Sequence, residues 1–202
     1  MVKPIVVIGD GSIIEFPGTR LRYYESFFPK KKAEKYFKQL KDEILWQQDY
    51  ITVYGKTYSQ PRLTALYGNN SNPYSYSGIT MHPHQITTPL FEIQNYIQQI
   101  SDIKFTTVLL NLYRNGKDSN GWHADNEKEL GKNPTIASVS FGAERFFHLK
   151  HKSQKELRLK ILLKSGSLLL MEGETQSQWL HQIAKTSRPV QPRINLTFRK
   201  II

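Results

Sequence analysis

The stretch Arg193-Ile194-Asn195-Leu196-Thr197-Phe198-Arg199 alternates strictly between polar and apolar residues. Side chains of an extended strand point to opposite faces with a period of two. Ile194, Leu196 and Phe198 therefore form one apolar face, and Arg193, Asn195, Thr197 and Arg199 form a polar one. This is ordinary for an edge strand of an antiparallel sheet with one solvated face. It also describes a clamp, because two guanidiniums separated by an amide and a hydroxyl suit a small dicarboxylate. Working back toward the N-terminus, Ser167 to Glu172, Leu157 to Leu163, Phe146 to His148, Thr135 to Phe141 and Thr106 to Tyr113 also read as short strands, with Gly142 and Asn115-Gly116 among the turns. That spacing points to a sandwich or barrel.

The first half reads differently. From Pro29 to Gln48, Ala33, Phe37, Leu40 and Ile44 recur at helical spacing between Lys and Glu residues, which predicts an amphipathic helix with a proline in its first turn. A second helix is predicted over Thr88 to Ser101, where Thr88 can cap, Pro89 fits the first position, and Leu90, Ile93, Ile97 and Ile100 mark the apolar face. Both helices are expected to cover a sheet. Tyr50 to Tyr54 reads as a strand before Gly55-Lys56, and the polar, turn-rich segment from Tyr67 to Gly78 is either a disordered loop or a lid carrying Tyr74 and Tyr76. Residues 1–28 point to no element. The expected fold class is α+β in one domain over 1–202, with helices, hairpin and lid in 1–105 and the strand core in 106–202.

A chain of 202 residues with 39% hydrophobic and 22% charged residues is a folded globular protein and not a disordered or coiled-coil one. The absence of cysteine excludes disulfides, thiolate metal sites and Cys nucleophiles, leaving His and carboxylates as the strong metal ligands. A net charge of +11 favours a polyanionic partner such as nucleic acid. No run approaches the roughly 20 apolar residues that span a bilayer, and no signal peptide is recognisable, so a soluble intracellular protein is the expectation.

Gly121-Trp122-His123-Ala124-Asp125 follows a strand, and in extended chain His123 and Asp125 share a face and can share one metal. His181, beside Trp179 and after the apolar Leu168 to Met171, is available as a third ligand. Two imidazoles and one carboxylate leave coordination positions open, the donor set of non-haem Fe(II) oxygenases. Taken alone, a His-x-Asp pair is more often a turn, in which Asp125 would cap a helix. Asn111 and Tyr113 share a strand face opposite Val108, Leu110 and Leu112; such buried polar groups pair either with neighbouring backbone or with a ligand's oxygens.

In their order along the chain, these pieces resemble the AlkB-type Fe(II)- and 2-oxoglutarate-dependent dioxygenases. The matching blocks are Asn111-Leu112-Tyr113, Gly121 to Glu127, Ile136 to Gly142, Gly166 to Leu169, Trp179-Leu180-His181 and Pro192 to Arg199. The resemblance covers roughly residues 50 to 202 and is most specific in the last block. It implies a double-stranded β-helix, or jelly-roll. It implies that His123, Asp125 and His181 hold iron, that Arg193 with Tyr113 holds the distal carboxylate of 2-oxoglutarate, that Arg199 and Asn111 lie near its metal-bound end, and that Asn195 and Thr197 complete the pocket.

Within the family, the likeness points to the subgroup that includes the human homologue acting on double-stranded DNA. Val53-Tyr54-Gly55-Lys56 resembles its hairpin tip, which carries an aromatic ring, usually Phe, able to enter the base stack; Pro61-Arg62 follows. Tyr74-Ser75-Tyr76-Ser77-Gly78 resembles the loop that contacts the extruded base. Glu127 would reach the exocyclic amine, while Asn126 stands where these relatives generally have Asp. Basic residues Arg145, Lys150, His151, Lys152, Lys155, Lys185 and Arg188 could contact phosphates. Lys30 to Lys32 and Lys35 read as the exposed face of the first helix.

The implied reaction uses Fe(II), 2-oxoglutarate and O2 to hydroxylate an N-methyl group on 1-methyladenine or 3-methylcytosine. The hemiaminal then releases formaldehyde and leaves the unmodified base. The expected partner is alkylated DNA, with RNA as an alternative, and the expected state is a monomer off the membrane, cytoplasmic in a bacterium and nuclear in a eukaryote. Two other readings stand beside this one: a nucleic-acid-binding module with an inactive oxygenase pocket, and an oxygenase acting on RNA or protein.

Overall fold

The computed structural model describes residues 12–53, 55–69, 74–76 and 79–202. Hairpin β1 (Ser12–Phe16) and β2 (Thr19–Tyr24) opens the chain, followed by helix α1 (Lys30–Glu43). A second hairpin, β3 (Tyr50–Val53) and β4 (Lys56–Ser59), precedes β5 (Leu63–Gly68), the short pair β6 (Tyr74–Tyr76) and β7 (Ile79–Met81), β8 (His84–Gln85) and helix α2 (Thr88–Gln98). The strands β9 (Thr107–Tyr113), β10 (Asn120–His123), β11 (Ile136–Gly142), β12 (Arg145–His151), β13 (Arg158–Leu163) and β14 (Ser167–Glu172) follow. A single turn of helix α3 (Thr175–Gln178), then β15 (Trp179–Ile183) and β16 (Arg193–Arg199), complete it.

Two sheets face each other. The larger has the order β1-β2-β14-β11-β16-β9-β5-β8 and the smaller β10-β15-β12-β13. Strands β9 to β16 are shared four to each sheet, and apart from the consecutive β12 and β13 their antiparallel neighbours are distant in sequence, as in a jelly-roll. The expected fold is therefore the observed one. Strands are also plentiful in the first half, where sequence patterning showed mainly helices: β1, β2, β5 and β8 extend the larger sheet at both edges.

Helices α1 and α2 cover the outer face of the larger sheet, as expected. Ala33, Tyr36 and Leu40 of α1 and Leu90, Ile93 and Ile97 of α2 are buried in one cluster with Leu110, Phe141, Ile194, Leu196 and Phe198. A second cluster lies between the sheets, joining Leu109, Ile136 and Leu169 to Phe147, Leu149, Ile161 and Trp179. Helix α1 stops at Glu43, short of the Gln48 that periodicity predicts. Ile44 turns extended with ψ 135°, and Gln47 forms a β-bridge to Thr64. Pairing with the sheet offers the backbone hydrogen bonds that a helix continued through Gln47 would have to supply internally.

Strand β16 is not an edge. It lies between β11 and β9, and all seven of its residues are buried. Its apolar face meets the helices, so its polar face must point into the space between the sheets.

Candidate functional site

In the antiparallel pair β10 and β15, His123 stands opposite His181. Opposed residues share a face, and the two ring centroids lie 4.3 Å apart. Cross-strand register, rather than chain spacing, thus brings the imidazoles together. Strand β10 ends at His123, so the pleat does not place Asp125. A buried amide does: Asp125 N donates to Gln176 Oε1 at 2.9 Å. One potential ligand atom from each of His123, Asp125 and His181 lies within 4.8 Å of the others.

The protonation states suit a divalent cation. His123 Nδ1 lies 2.7 Å from the Gly121 carbonyl oxygen, which can only accept, so Nδ1 carries the proton and Nε2 keeps its lone pair. Burial lowers the pKa of His123, and burial together with the neighbouring His123 pushes that of His181 down to about 3. Burial acts in the opposite sense on Asp125, but the Arg199 guanidinium and the two imidazoles outweigh it and hold the carboxyl at about 2. Two neutral imidazoles and a carboxylate therefore coexist at neutral pH. The buried Nδ1 of His181 has no hydrogen-bond partner among the described residues.

Beside them, Arg193 is 1% exposed. Its Nη2 donates to Ser140 Oγ at 2.9 Å, and its guanidinium carbon lies 5.2 Å from the centre of the Tyr113 ring. Its Nε and Nη1 are buried without partners among the described residues. Burial pulls its pKa down to about 10, so it stays a cation at neutral pH. An underbonded buried guanidinium is costly unless an anion completes it, so these residues fit a carboxylate co-substrate. Asn195 Nδ2 donates to Ser138 Oγ at 2.9 Å and to the Val139 carbonyl at 3.0 Å, and Thr197 Oγ1 donates to Asn195 Oδ1 at 3.2 Å. Arg199 Nη2 donates to Asp125 Oδ1 at 2.9 Å.

One pocket between the sheets is lined by all nine residues that the sequence assigned to metal and co-substrate: Asn111, Tyr113, His123, Asp125, His181, Arg193, Asn195, Thr197 and Arg199. Sequence reasoning missed Asn120, whose Nδ2 is 3.1 Å from His123 Nε2, as well as Ser138 and Gln176. The alternation Ile136, Ser138, Ser140 against Ala137, Val139, Phe141 carried a readable signal for the serines; Gln176 carried none.

The remaining residues fall elsewhere. Gly55 and Lys56 are exposed at the tip of the β3–β4 hairpin, with Gly55 at φ 75°. Asn126 is exposed and Glu127 half-buried just after Asp125. Tyr54 and the side chains of Tyr74 and Tyr76 lie outside the described residues, although Tyr74 and Tyr76 sit on β6. Arg62, expected at the substrate face, is buried, where its Nε donates to Asn111 Oδ1 at 2.7 Å and its Nη1 to the Ser119 carbonyl at 3.3 Å. Two of the expected phosphate contacts also point inward. Arg145 is buried and donates to the Asn115, Asp118 and Ala184 carbonyls, and buried His151 accepts at Nδ1 from the Ser153 and Gln154 backbone. Lys152, Lys155, Lys185 and Arg188 are exposed.

Comparison with known proteins agrees with this geometry. Residues 20–199 match the family model described as "2OG-Fe(II) oxygenase superfamily". "Alpha-ketoglutarate-dependent dioxygenase alkB homolog 3" of Bos taurus is 44% identical over 184 residues, covering 87% of this chain and 64% of the relative. "DNA oxidative demethylase ALKBH2" of Homo sapiens is 36% identical over 193 residues, covering 89% of this chain and 72% of the relative. The chain thus spans just under two thirds of the length of the first of these relatives. The solved structure of OsALKBH1 superposes with a TM-score of 0.65 at 17% identity, covering 94% of this chain and all of that one, a likeness of fold. With the matched model spanning most of the chain and the metal and co-substrate residues gathered in one pocket, the chain belongs to the 2OG-Fe(II) oxygenase superfamily and, within it, to the AlkB family.

Proposed function

We propose that this protein removes N-alkyl groups such as those of 1-methyladenine and 3-methylcytosine from DNA by oxidative demethylation, dependent on Fe(II), 2-oxoglutarate and O2. The observation that carries this reading is the coexistence, in one pocket, of three clustered ligands and an underbonded buried guanidinium. The relatives, named as a dioxygenase and a DNA oxidative demethylase, suggest the substrate class. The +11 charge suits a polyanion.

His123, Asp125 and His181 would hold the iron, and Arg193 would pair with the distal carboxylate of 2-oxoglutarate. Bound there, iron with 2-oxoglutarate and O2 supplies the oxidant that hydroxylates the methyl group, with succinate and CO2 as co-products. The chain's own contribution is placement. Gln176 and Arg199 fix Asp125 from its backbone and its carboxylate; Gly121 fixes the tautomer of His123; Arg62 holds Asn111. The buried pocket walls keep bulk water from the reacting carbon. Gly55 and Lys56 lie at the hairpin tip, and Tyr54, by its place in the sequence motif, would fill the gap left by a flipped base. Tyr74, Tyr76, Asn126 and Glu127 would contact that base. Asn126 in place of a carboxylate removes one negative charge near a cationic methylated base.

We read the chain as one domain that works as a monomer, in the cytoplasm of a bacterium or the nucleus of a eukaryote. No helix among the described residues is long and apolar enough to cross a membrane. The test is incubation with Fe(II), 2-oxoglutarate and air on oligonucleotides carrying one 1-methyladenine, single-stranded and duplex, DNA and RNA, with His123→Ala as control. Loss of the methyl group with formaldehyde release by the wild type alone supports the reading. Succinate without demethylation would mean a different substrate, and DNA binding without either product would mean a binding module.

A further inference from the structure

The two sheets are covered unequally. Helices α1 and α2 cover the outer face of the larger sheet, whereas no described element packs on the outer face of the smaller one. That bare face has a consistent chemistry. None of its four strands, β10, β15, β12 and β13, contains an Asp or Glu. Along β12, Arg145, Phe147, Leu149 and His151 are buried, so Phe146, His148 and Lys150 point outward. Across the β12–β13 ladder, His148 pairs with Lys160 and Lys150 with Arg158. Trp122, next in chain to the inward-facing His123, is exposed on β10.

Cations and rings are interleaved on this surface. Lys150 Nζ sits 4.4 Å from the centre of the Trp122 ring, and Lys160 Nζ 3.8 Å from that of Phe146. Both rings are 38% exposed. The face continues into a groove lined by Phe146, His148, Lys160, Lys185 and Arg188, with Glu144 as its one acid. Ammonium–ring contacts at an exposed site are weak enough to be exchanged. An arriving phosphate can draw each lysine off its ring and uncover a flat surface for a base. Interleaved cations and aromatic rings are how proteins hold single-stranded nucleic acid without reading its sequence. A membrane surface would instead be met by a broad apolar face sunk into the lipid boundary, whereas each of these rings lies under an ammonium.

We propose that this outer face, centred on Phe146, Lys150 and Lys160, is a second nucleic-acid contact that holds single-stranded DNA flanking the target base, outside the catalytic pocket. It rests on the reading of DNA as substrate, and the experiment separates the two.

The full-length metal-free chain is titrated with fluorescein-labelled thymidine oligonucleotides of about 5 and 20 nucleotides between about 50 and 200 mM salt. The variants are Lys150→Ala/Arg158→Ala/Lys160→Ala and, separately, Phe146→Ala, each checked for an unchanged Tm. The wild type should bind the longer oligonucleotide more tightly. Loss of three phosphate contacts should flatten the slope of log K against log salt by about 2 and weaken the longer oligonucleotide on the order of 100-fold at ~0.1 M salt. Phe146→Ala should weaken it with the slope unchanged, and Lys150→Arg/Lys160→Arg should restore binding. Demethylation of a methylated 5-mer should be unaffected in every variant. Unchanged affinity and slope in a folded triple variant would overturn the proposal, as would wild-type binding independent of length. If the 5-mer is not demethylated but the length-dependent binding stands, the catalytic reading fails and the surface survives. Binding of phosphatidylserine vesicles in place of the 20-mer, lost in the same variant, would overturn it in favour of a membrane.

Discussion

Arg199 on β16 and Asp125 beyond the end of β10 form a buried ion pair across the space between the two sheets, with Nη2 at 2.9 Å from Oδ1 and side chains only 5% and 2% exposed. The pair ties a metal ligand to the larger sheet and holds it ionised. Removing one partner of such a pair strands a buried charge, at a cost of about 3–5 kcal/mol. Arg199→Met should therefore destabilise the metal-free protein by about that amount in urea unfolding. An unchanged midpoint would mean that Asp125 finds another partner.

Arg193 should show the opposite balance. Its Nε and Nη1 lack partners among the described residues, so Arg193→Met should leave the metal-free protein as stable or more so, by up to about 1–4 kcal/mol. The same change should weaken 2-oxoglutarate binding at least about 100-fold, because each charged hydrogen bond contributes about 1.5–3 kcal/mol. Calorimetric titration with 2-oxoglutarate in the presence of Mn(II) measures this directly.

His181→Gln should abolish the thermal stabilisation that Mn(II) or Co(II) gives the wild type. A ligand at 100 times its Kd adds about 2.7 kcal/mol, which a thermal melt resolves. A variant that still shifts with metal would remove His181 from the ligand set.

Acid stability should depend on Asp118. Its backbone and side-chain partners are Arg114 N and Nε, both at 2.8 Å, and Arg114 Nη2 at 3.0 Å. Burial alone would raise its pKa, but the Arg114 hydrogen bonds and charge, with Arg145 nearby, bring it below the ordinary value. A folded pKa below the unfolded one of about 3.9 means stability that is present above that pH and lost as pH falls through the folded value. Asp118→Asn should thus cost about 1–3 kcal/mol at pH 7, with the difference from wild type shrinking below about pH 4. A difference independent of pH would assign the effect to packing.

Gly166 accepts no side chain. It has φ 82°, and a Cβ there would meet the Phe28 carbonyl oxygen at 2.4 Å. That oxygen is backbone, held where Phe28 N bonds back to the Gly166 carbonyl at 2.9 Å. Gly166→Ala should cost about 2–4 kcal/mol. Gly55→Ala, at φ 75° but with nothing within 4 Å, should cost only about 1 kcal/mol. Equal losses in the two would mean that the Phe28 turn gives way.

Strands whose ends coincide with a change in hydrophobic pattern were legible in sequence. Ser167–Glu172, a continuous apolar run, and Arg193–Arg199, an alternating one, are observed with the predicted bounds. Leu63–Gly68 and Trp179–Ile183 were not legible as strands. Leu63–Gly68 carries too little alternation to stand out and becomes a strand through its ladder to β9. Trp179–Ile183 is too short to show a period and is made a strand by its ladders to β10 and β12.

Periodicity, a local property, was enough to read the strand core and the apolar faces of both helices from the chain, while nine pocket residues were read from residue chemistry together with the family resemblance. That the polar face of β16 is interior, that Arg62 and Arg145 turn inward onto carbonyl and amide oxygens, and that Asp125 is held by Gln176 and Arg199 became visible only in three dimensions. Each depends on which strand lies beside which. That order is settled by burying both apolar clusters at once and by finding partners for the polar groups trapped between them.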